Sequence, residues 1–386
     1  VLAARHGAQP HLPAAFAAQW LVKNDELEVG FLLAVAGRDY DVASFAAARR
    51  FTRLLGFQTE KVRAALAPVP LLTMRRHPLL AMMLALSYNQ VSRLRLRAIE
   101  YFGIAISGAR SARPNMGGPE RVVLDTVMSG ALRIIGQSEN AGRVAARALR
   151  ELAALSEPER QELGTIVDAV TVQSGISLLY AGSLDAALSA FRRSSAPEDS
   201  PHSLHALAAL AGTHALIGEM REAAELVLEG NGREWPDGWI DGYQGSLFQL
   251  GRALLALEAF DLDAAQAAVD SIDEHIATIE HWPLFAEVQA RIDLLAGRAG
   301  VGSDRLRAVR RRKRGRVDLD ARSRTRLDIA ASTLHLASGR VRQAEEAIAA
   351  VTTPDAGVLV AQARLQLVRD APEAALAHLL ESAQLP

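Results

Sequence analysis

Apolar residues along this chain recur at spacings of three and four, the period of helices with one buried face, and strand-forming runs are scarce. The pattern predicts helices near Ala14–Ala34, Ala43–Leu55, Lys61–Leu66, Pro78–Tyr88, Val122–Ile135, Leu284–Ala296 and Ser303–Lys313. A longer repeat lies over it. Five times a small residue is followed twelve positions later by a second small residue, alanine, and four further on by a large apolar one: Gly175/Ala187/Phe191, Ala211/Ala223/Val227, Ala253/Ala265/Val269, Ser332/Ala344/Ile348 and Ala363/Ala375/Leu379. In a pair of helices the small residue of the first and the alanine of the second let the backbones approach, and the large side chain fills the gap beside them. The alanines at 187, 223 and 265 lie 36 and 42 apart and those at 344 and 375 lie 31 apart, which brackets one repeat period. The interval from 265 to 344 is read as one degraded repeat. Ala98 with Phe102, and Ala145 with Leu149, read as earlier hairpins of shifted spacing.

The fold class that follows is all-α, a right-handed α-solenoid of stacked helix hairpins. Gly182, Gly218, Gly297 and Gly339 each stand just past an apolar run, where a left-handed helix cap would fall. Loops are expected at Gly108–Glu120, Ser194–Pro201 and Gly230–Gly242, which are rich in Gly, Pro, Ser or Asp. Residues 1–66 lack the repeat signature and are read as a helical cap. Residues 67–386 are read as one continuous superhelix with a bend at 108–120.

Composition narrows the function. Hydrophobic residues make up 49% and aromatics only 5%, so the core is built from small aliphatic side chains. A net charge of −1 removes any global electrostatic case for nucleic acid or membrane surfaces. The absence of cysteine excludes disulfides, thiolate metal sites and cysteine nucleophiles. The longest strongly apolar stretch, Pro78–Tyr88, is well short of the ~20 residues of a membrane-spanning helix, and no secretory signal opens the chain. A cytoplasmic protein without membrane contact is expected. Val1 at the start is read as the beginning of a piece of a larger polypeptide.

Candidate chemistry is sparse. His202, His205 and His214 fall on or beside one helix without a carboxylate at the companion spacing, so packing or surface roles are expected rather than metal ligation. Glu274/His275 and Glu280/His281 are no stronger. No nucleophile elbow, His-Glu-x-x-His or dinucleotide fingerprint occurs, and the chain is read as non-catalytic, with no metal and no cofactor. The run Arg305–Arg316, and within it Arg310, Arg311, Arg312, Lys313 and Arg314, could fork onto phosphate oxygens or contact a partner. The competing reading is a solvated helix end whose cations complement the dipole. The segment Glu234–Phe248 gathers Trp235, Asp237, Trp239, Asp241 and Tyr243, a mixture of aromatic faces and carboxylates suited to a polyhydroxyl ligand. The competing reading is that the tryptophans plug an irregular turn. A partner groove is expected along the first helices at Leu250 and Leu254. The positions that clamp a terminal carboxylate in chaperone-binding repeats carry Ile176, Gly212, Leu254 and Thr333, and Val172, Ala208, Leu250 and Ile329, so no such clamp exists.

The hairpins resemble tetratricopeptide repeats, and longer stretches resemble the repeat region of large MalT-like LuxR-type transcription regulators. Ala67–Tyr88 is similar to the entry to that region, with Val69-Pro70 and His77-Pro78-Leu79 at the matching steps. Gly251–Val269, His281–Gly297 and Arg324–Ile348 are similar to successive members of it. The resemblance implies an effector-sensing and self-associating region. It normally lies between an ATPase and a helix-turn-helix that this chain does not supply, so ATP and DNA would be bound only through those other modules. No lysine follows a glycine, as a phosphate-binding loop requires. The family's prototype senses a sugar, which favours a sugar-like effector at the aromatic segment; an adjoining domain or protein, and a homo-oligomer, are the other expected partners. The alternative is a stand-alone tetratricopeptide-like scaffold that binds a protein or peptide in its apolar groove.

Overall fold

The computed structural model describes residues 12–195, 202–273, 276, 279–313, 319–349, 351 and 355–385. Among them the chain is all-α, with no strand. It divides into two compact units, Val1–Ala206 and Leu207–Pro386. The first holds α1 (Leu12–Lys23), α2 (Leu27–Ala36), α3 (Tyr40–Phe57), α4 (Thr59–Leu66), α5 (Leu71–Arg76), α6 (Pro78–Asn89), α7 (Arg95–Ala112), α8 (Gly118–Ile134), α9 (Ser138–Ala154), α10 (Glu157–Leu163), α11 (Ile166–Tyr180) and α12 (Leu184–Ser195). Helix α13 (Ser203–Leu216) follows, and the second unit continues with α14 (Met220–Asn231), α15 (Ser246–Glu258), α16 (Leu262–Asp270), α17 (Trp282–Leu295), α18 (Ala299–Lys313), α19 (Ala321–Ala337), α20 (Val341–Ala349), α21 (Ala356–Val368) and α22 (Pro372–Ser382).

One turn builds most of this. At Asp25, Arg38, Gly136, Gly182, Gly218, Phe260, Gly297, Gly339 and Asp370 the backbone enters the left-handed region. In each of these nine turns the next residue's N–H donates to the carbonyl five residues earlier, at 2.8–3.0 Å, the longer of the two bonds of a Schellman cap. All four turn glycines expected from sequence are among them. The capping residue then opens the next helix at once: Asp39 and Asp261 accept the amides of Val42 and Ala264 at 3.2 and 3.0 Å. Neighbouring helices joined so tightly must run antiparallel.

The lock between the two helices of each hairpin lies at fixed distances from the turn. Five residues beyond it stand Gly30, Ala43, Ala141, Ala187, Ala223, Ala265, Gly302, Ala344 and Ala375, all buried. Seven residues before it stand Ala18, Phe31, Ser129, Gly175, Ala211, Ala253, Ala290, Ser332 and Ala363, small in every case but Phe31. The approach is close enough that Ser332 Oγ donates to the Ala344 carbonyl at 2.9 Å, and a Cβ on Gly175 would lie 2.5 Å from Phe191 Cε1. The interval read as a degraded repeat is an intact hairpin, Ala290/Gly302/Leu306, in which glycine stands for alanine. The upstream hairpin of α8 and α9 likewise keeps the standard spacing of its small residues, Ser129/Ala141, with Ala145 in place of the large third residue.

Successive hairpins meet through a second fixed set. The third residue before a turn and the sixth and ninth after it form a trailing face; the ninth and fifth before the following turn form the leading face it meets. Arg133 donates to Ser177 Oγ at 2.6 Å and to Gln173 Oε1 at 3.1 Å, joining α8 to α11. Leu294 and Leu306 pack with Ala330 and Leu334, and Leu336 and Ile348 with Ala361 and Leu365, joining α17–α18 to α19 and α19–α20 to α21. First helices are thereby covered widely, as in α11, where ten of fifteen residues are buried.

Other expectations need correction. Ala14–Ala34 is two helices broken at Asp25, and Gly108–Glu120 is mostly helical, since α7 runs to Ala112, one 3₁₀ turn covers Arg113–Asn115, and α8 begins at Gly118. Helix α10 carries a capping box in which Glu159 Oε2 accepts the Ser156 amide at 2.9 Å, a signal present in Ser156-x-x-Glu159. Most of the loop expected at Ser194–Pro201, residues 196–201, lies outside the described residues.

Phe260 holds its turn at φ 56° with its ring 75% exposed, so the side chain strains the backbone and gains little burial. Phe260→Gly is expected to raise stability by about 0.5–1 kcal/mol, read as a higher urea midpoint; a lower midpoint would assign the ring a packing role.

Candidate functional site

The segment joining α14 to α15 folds around one carbonyl. Trp239 N–H donates to the Pro236 carbonyl at 3.0 Å, and the Trp239 carbonyl accepts the amides of Gly242 and Gly245 at 3.2 and 2.8 Å. Gly238 sits at φ 73°, a region that favours glycine. Trp235 turns inward: its ring lies 5.2 Å from that of Phe248, and its Nε1–H donates to the Gly230 carbonyl at 2.9 Å. With Leu226, Val227 and Ile240 it packs on Leu207, Ala208 and Ala211. Trp235 is thus the plug of an irregular turn. Its hydrogen-bonding edge is engaged while the ring is half-buried.

The other four nominated residues lie further out. Asp237 is exposed and Trp239 half-buried. Asp241 Oδ1 accepts from Gln249 Nε2 at 3.1 Å, and buried Gln249 accepts from Arg252 Nη1 at 3.1 Å. Tyr243 donates its hydroxyl to Glu280 Oε1 at 3.0 Å and stacks on His281, 5.6 Å between centroids at 13°. Sequence reasoning missed Gln249, Arg252, Glu280 and His281 as companions of this segment. The signal for His281 was its place beside Trp282-Pro283 at the start of α17; nothing local marked the glutamine.

The basic run is largely neutralised from within. Asp293, fully buried, accepts from Arg305 Nη1 at 2.7 Å and Arg298 Nη2 at 3.3 Å. Arg307 donates to Asp304 at 2.9 Å, and Arg310 Nη2 donates to Asp328 Oδ1 at 2.7 Å. Arg311 and Arg312 are exposed. Lys313 ends α18, with its side chain outside the described set, and Arg314 lies outside the described residues altogether. Of the five nominated cations, Arg310 is removed from an outward patch because it turns toward α19; among the described side chains Arg311 and Arg312 stay exposed.

The groove at Leu250 and Leu254 is also corrected. Both are buried, at 0% and 4% exposure, because α15 is an inner helix packed by α14, α16 and α17. Neither offers a surface to a partner.

Among the described residues no group of three or more His, Asp or Glu is disposed to hold a metal ion; Glu274 and His275 lie outside that set. His205 and His214 are buried, and His214 pairs with the Glu219 carboxylate. Burial lowers the pKa of His202 against the opposing charge of Asp168, lowers that of His77, whose Nδ1 lies 3.1 Å from Ser44 Oγ, and lowers that of His335, where Arg340 and Arg307 add to the effect. A histidine with a lowered folded pKa is protonated first in the unfolded chain, so the stability it permits is present above about pH 6.5 and is lost as the pH falls below that value. The urea midpoint is expected to drop between pH 7.5 and 5.5, and His202→Gln should reduce that drop. An identical drop in the variant would show that His202 is not responsible.

Among the described residues no single helix is long and apolar enough to cross a membrane. A scan against models of known protein families finds no match, and a search of curated proteins finds none at a significant level.

Proposed function

We propose that this chain is the effector-sensing and protein-interaction region of a MalT-like LuxR-type transcription regulator, cytoplasmic and non-catalytic, built as a right-handed tetratricopeptide-like solenoid. The observation that carries the reading is the recurrence of one hairpin turn with small residues at fixed distances on either side of it. The stretches that resemble the regulators fall on these elements: Ala67–Tyr88 runs into α6, Gly251–Val269 spans α15 and α16, His281–Gly297 covers α17, and Arg324–Ile348 spans α19 and α20. The effector, a sugar-like polyhydroxyl molecule, would meet Trp239, Asp237, Asp241 and Tyr243 on the outer side of the segment that Trp235 anchors. Arg311 and Arg312 would face the phosphates or acidic groups of an adjoining module. Effector binding would shift the equilibrium of the hairpin stack and so bias ATPase and DNA-binding modules.

Burial of Leu250 and Leu254 counts against the stand-alone scaffold, because its apolar groove was to be lined by those side chains. The test is the coding sequence on either side of this segment. A Gly-Lys-Ser/Thr loop upstream and a helix-turn-helix downstream are expected; stop codons close on both sides would overturn the reading. For the effector, mono- and disaccharides are titrated against melting temperature. Trp239→Ala is expected to abolish a sugar-induced rise with the helical circular dichroism retained; because Trp239 is half-buried, the unliganded melting temperature itself should fall by about 2–4 °C. An unchanged rise removes Trp239 from the site.

A further inference from the structure

We infer that helices α5 to α9 carry a phosphate-binding face whose partner is the backbone of double-stranded nucleic acid, contacted without regard to sequence. The inference does not rest on the regulator reading, which leaves DNA to another module. It follows from how charge is distributed. Between Leu71 and Ala154 stand twelve arginines, no lysine and five aspartates or glutamates, a balance of +7; the rest of the chain carries 31 basic and 39 acidic residues, a balance of −8. The whole-chain value of −1 averages these away. Asymmetry of this kind between parts of one chain points to nucleic acid or a membrane surface.

Burial sharpens the imbalance. Arg75, Arg76, Arg93, Arg97, Arg110, Arg143 and Arg150 are exposed, and Glu100 and Glu139 are the only exposed carboxylates between the same limits. Of the other three, Asp125 is fully buried, Glu151 is held by Arg113 and Arg121, and Glu120 by Arg49. The fold brings the far ends of α5, α7 and α9 together. A Cβ on Gly108 would lie 2.1 Å from the Arg75 carbonyl oxygen, so the end of α5 abuts the last turns of α7 beside Arg110. Arg113, just past α7, bonds to Asp125 and Glu151 and so draws that end to α9, where Arg147 and Arg150 lie within a turn of Glu151. The Arg113, Arg121 and Arg147 side chains are paired but still 24%, 34% and 37% exposed. Glu157, Glu159 and Glu162 of α10 follow in the chain and are engaged by Gln161, Ser156 and Arg49.

A helix-dipole role does not account for the face. Cations complement the last turn of a helix, yet Arg93 and Arg97 stand at the start of α7, which has no acid in its first turn, and Arg143 stands in the first half of α9. A protein interface would need an apolar centre among the charges. Leu96 is the one large apolar residue among the exposed positions of α7 and α9, and between Arg97 and Arg110 the exposed positions of α7 are Glu100, Gly103 and Ser107. Guanidinium forks on phosphate oxygens, with release of counterions, need no such centre and carry no sequence information. No aromatic side chain of α5 to α9 is exposed, so unpaired bases find no stacking platform and the duplex is the form that fits.

The test uses the 386-residue chain and a fluorescein-labelled duplex of about 30 base pairs, followed by anisotropy from about 50 to 200 mM salt, where non-specific contacts weaken steeply. Micromolar binding at the lowest salt is expected, equal for two unrelated sequences, with log K falling by about 0.9 per phosphate contacted for each unit of log salt. The quadruple variant Arg97→Gln, Arg110→Gln, Arg143→Gln and Arg150→Gln should keep its circular dichroism, because the side chains are exposed. It should bind at least tenfold more weakly at about 50 mM salt, with a slope shallower by about 3–4. The same four positions changed to lysine should keep the wild-type slope. Arg311→Gln with Arg312→Gln should bind like the wild type. Absence of duplex binding at the lowest salt overturns the inference. So does a quadruple glutamine variant that binds like the wild type, equal loss in the glutamine and lysine variants, or a larger loss in the Arg311 and Arg312 pair. Equal competition by polyglutamate at the same charge concentration would overturn it in favour of an acidic protein. Binding to vesicles of phosphatidylcholine and phosphatidylserine in equal parts, without binding to duplex, would overturn it in favour of a lipid surface seated on exposed Leu71, Leu72 and Leu96.

Discussion

Replacing Phe191 with alanine will lower the stability of the Val1–Ala206 unit by about 3–5 kcal/mol, the range for emptying an aromatic site in a packed core. Phe191 is fully buried, and its ring lies where a side chain on Gly175 would have to go: a Cβ built there sits 2.5 and 2.9 Å from Cε1 and Cδ1 of the ring and 3.2 Å from Ala190 Cβ. Glycine in mid-helix costs about 1 kcal/mol relative to alanine, so the sequence accepts that penalty to let the ring in. Gly175→Ala alone is therefore expected to destabilise by about 1–2 kcal/mol, because overpacking of 1–3 kcal/mol outweighs the gain in helix propensity. In the Phe191→Ala background the same methyl enters vacated space and should stabilise. A double-mutant cycle in urea measures the coupling. An equal cost of Gly175→Ala in both backgrounds would show that the two helices do not meet at this pair.

The second large effect is expected at Asp125. Its carboxylate is fully buried on α8 and is held from two sides, by Arg147 Nε and Nη2 at 2.7 Å each and by Arg113 Nε at 3.2 Å to both oxygens. Arg113 also pairs with Glu151, which accepts from Arg121 Nε at 3.3 Å. The hydrogen bond from Asp125 raises the pKa of Arg147 further. Asp125→Ala leaves Arg147 without its bidentate partner and Arg113 with Glu151 alone, and one-sided removal of a buried ion-pair partner costs about 3–5 kcal/mol. The lower end is expected, because the Arg147 and Arg113 side chains keep 37% and 24% of their exposure and can turn partly to water. Arg221→Ala is the contrast: its pair with Glu222 is exposed and should change stability by less than about 0.5 kcal/mol. Equal effects in the two variants would mean that the Asp125 network is electrostatically idle.

The hairpins were legible where glycine closes the turn or alanine opens the second helix. They were missed where another residue does either job. Asp25, Arg38, Phe260 and Asp370 hold the left-handed position without being glycine, and Gly302 stands where a search for alanine finds none. A signature defined by residue type fails there, whereas one defined by the size of the residue and its distance from the turn does not. The buried carboxylates Asp125 and Asp293 carried no local signal, because their partners stand 12 to 22 positions away or across a turn. Aromatic composition nominated the α14–α15 segment but could not distinguish Trp235 from Trp239, both half-buried, since the plugging role of Trp235 depends on Phe248 and Gly230 lying opposite it. Leu250 and Leu254 were assigned to a groove because an apolar first helix reads the same whether its last side is open or covered.

The fixed length of the nine turns has a consequence for how such a chain can diversify. One added residue inside a turn would rotate the following helix by about 100° and take its small residue out of the lock, so insertion there is forbidden. The stretches between hairpins obey no such rule: residues 232–245, 271–281 and 314–320 differ widely in length although the helices they join keep their pairing. Tyr243, Glu280, Trp239 and the exposed arginines all lie on or beside those stretches. Descendants of this sequence can acquire or lose binding specificity by lengthening the links between hairpins while the spacing within each hairpin stays constant.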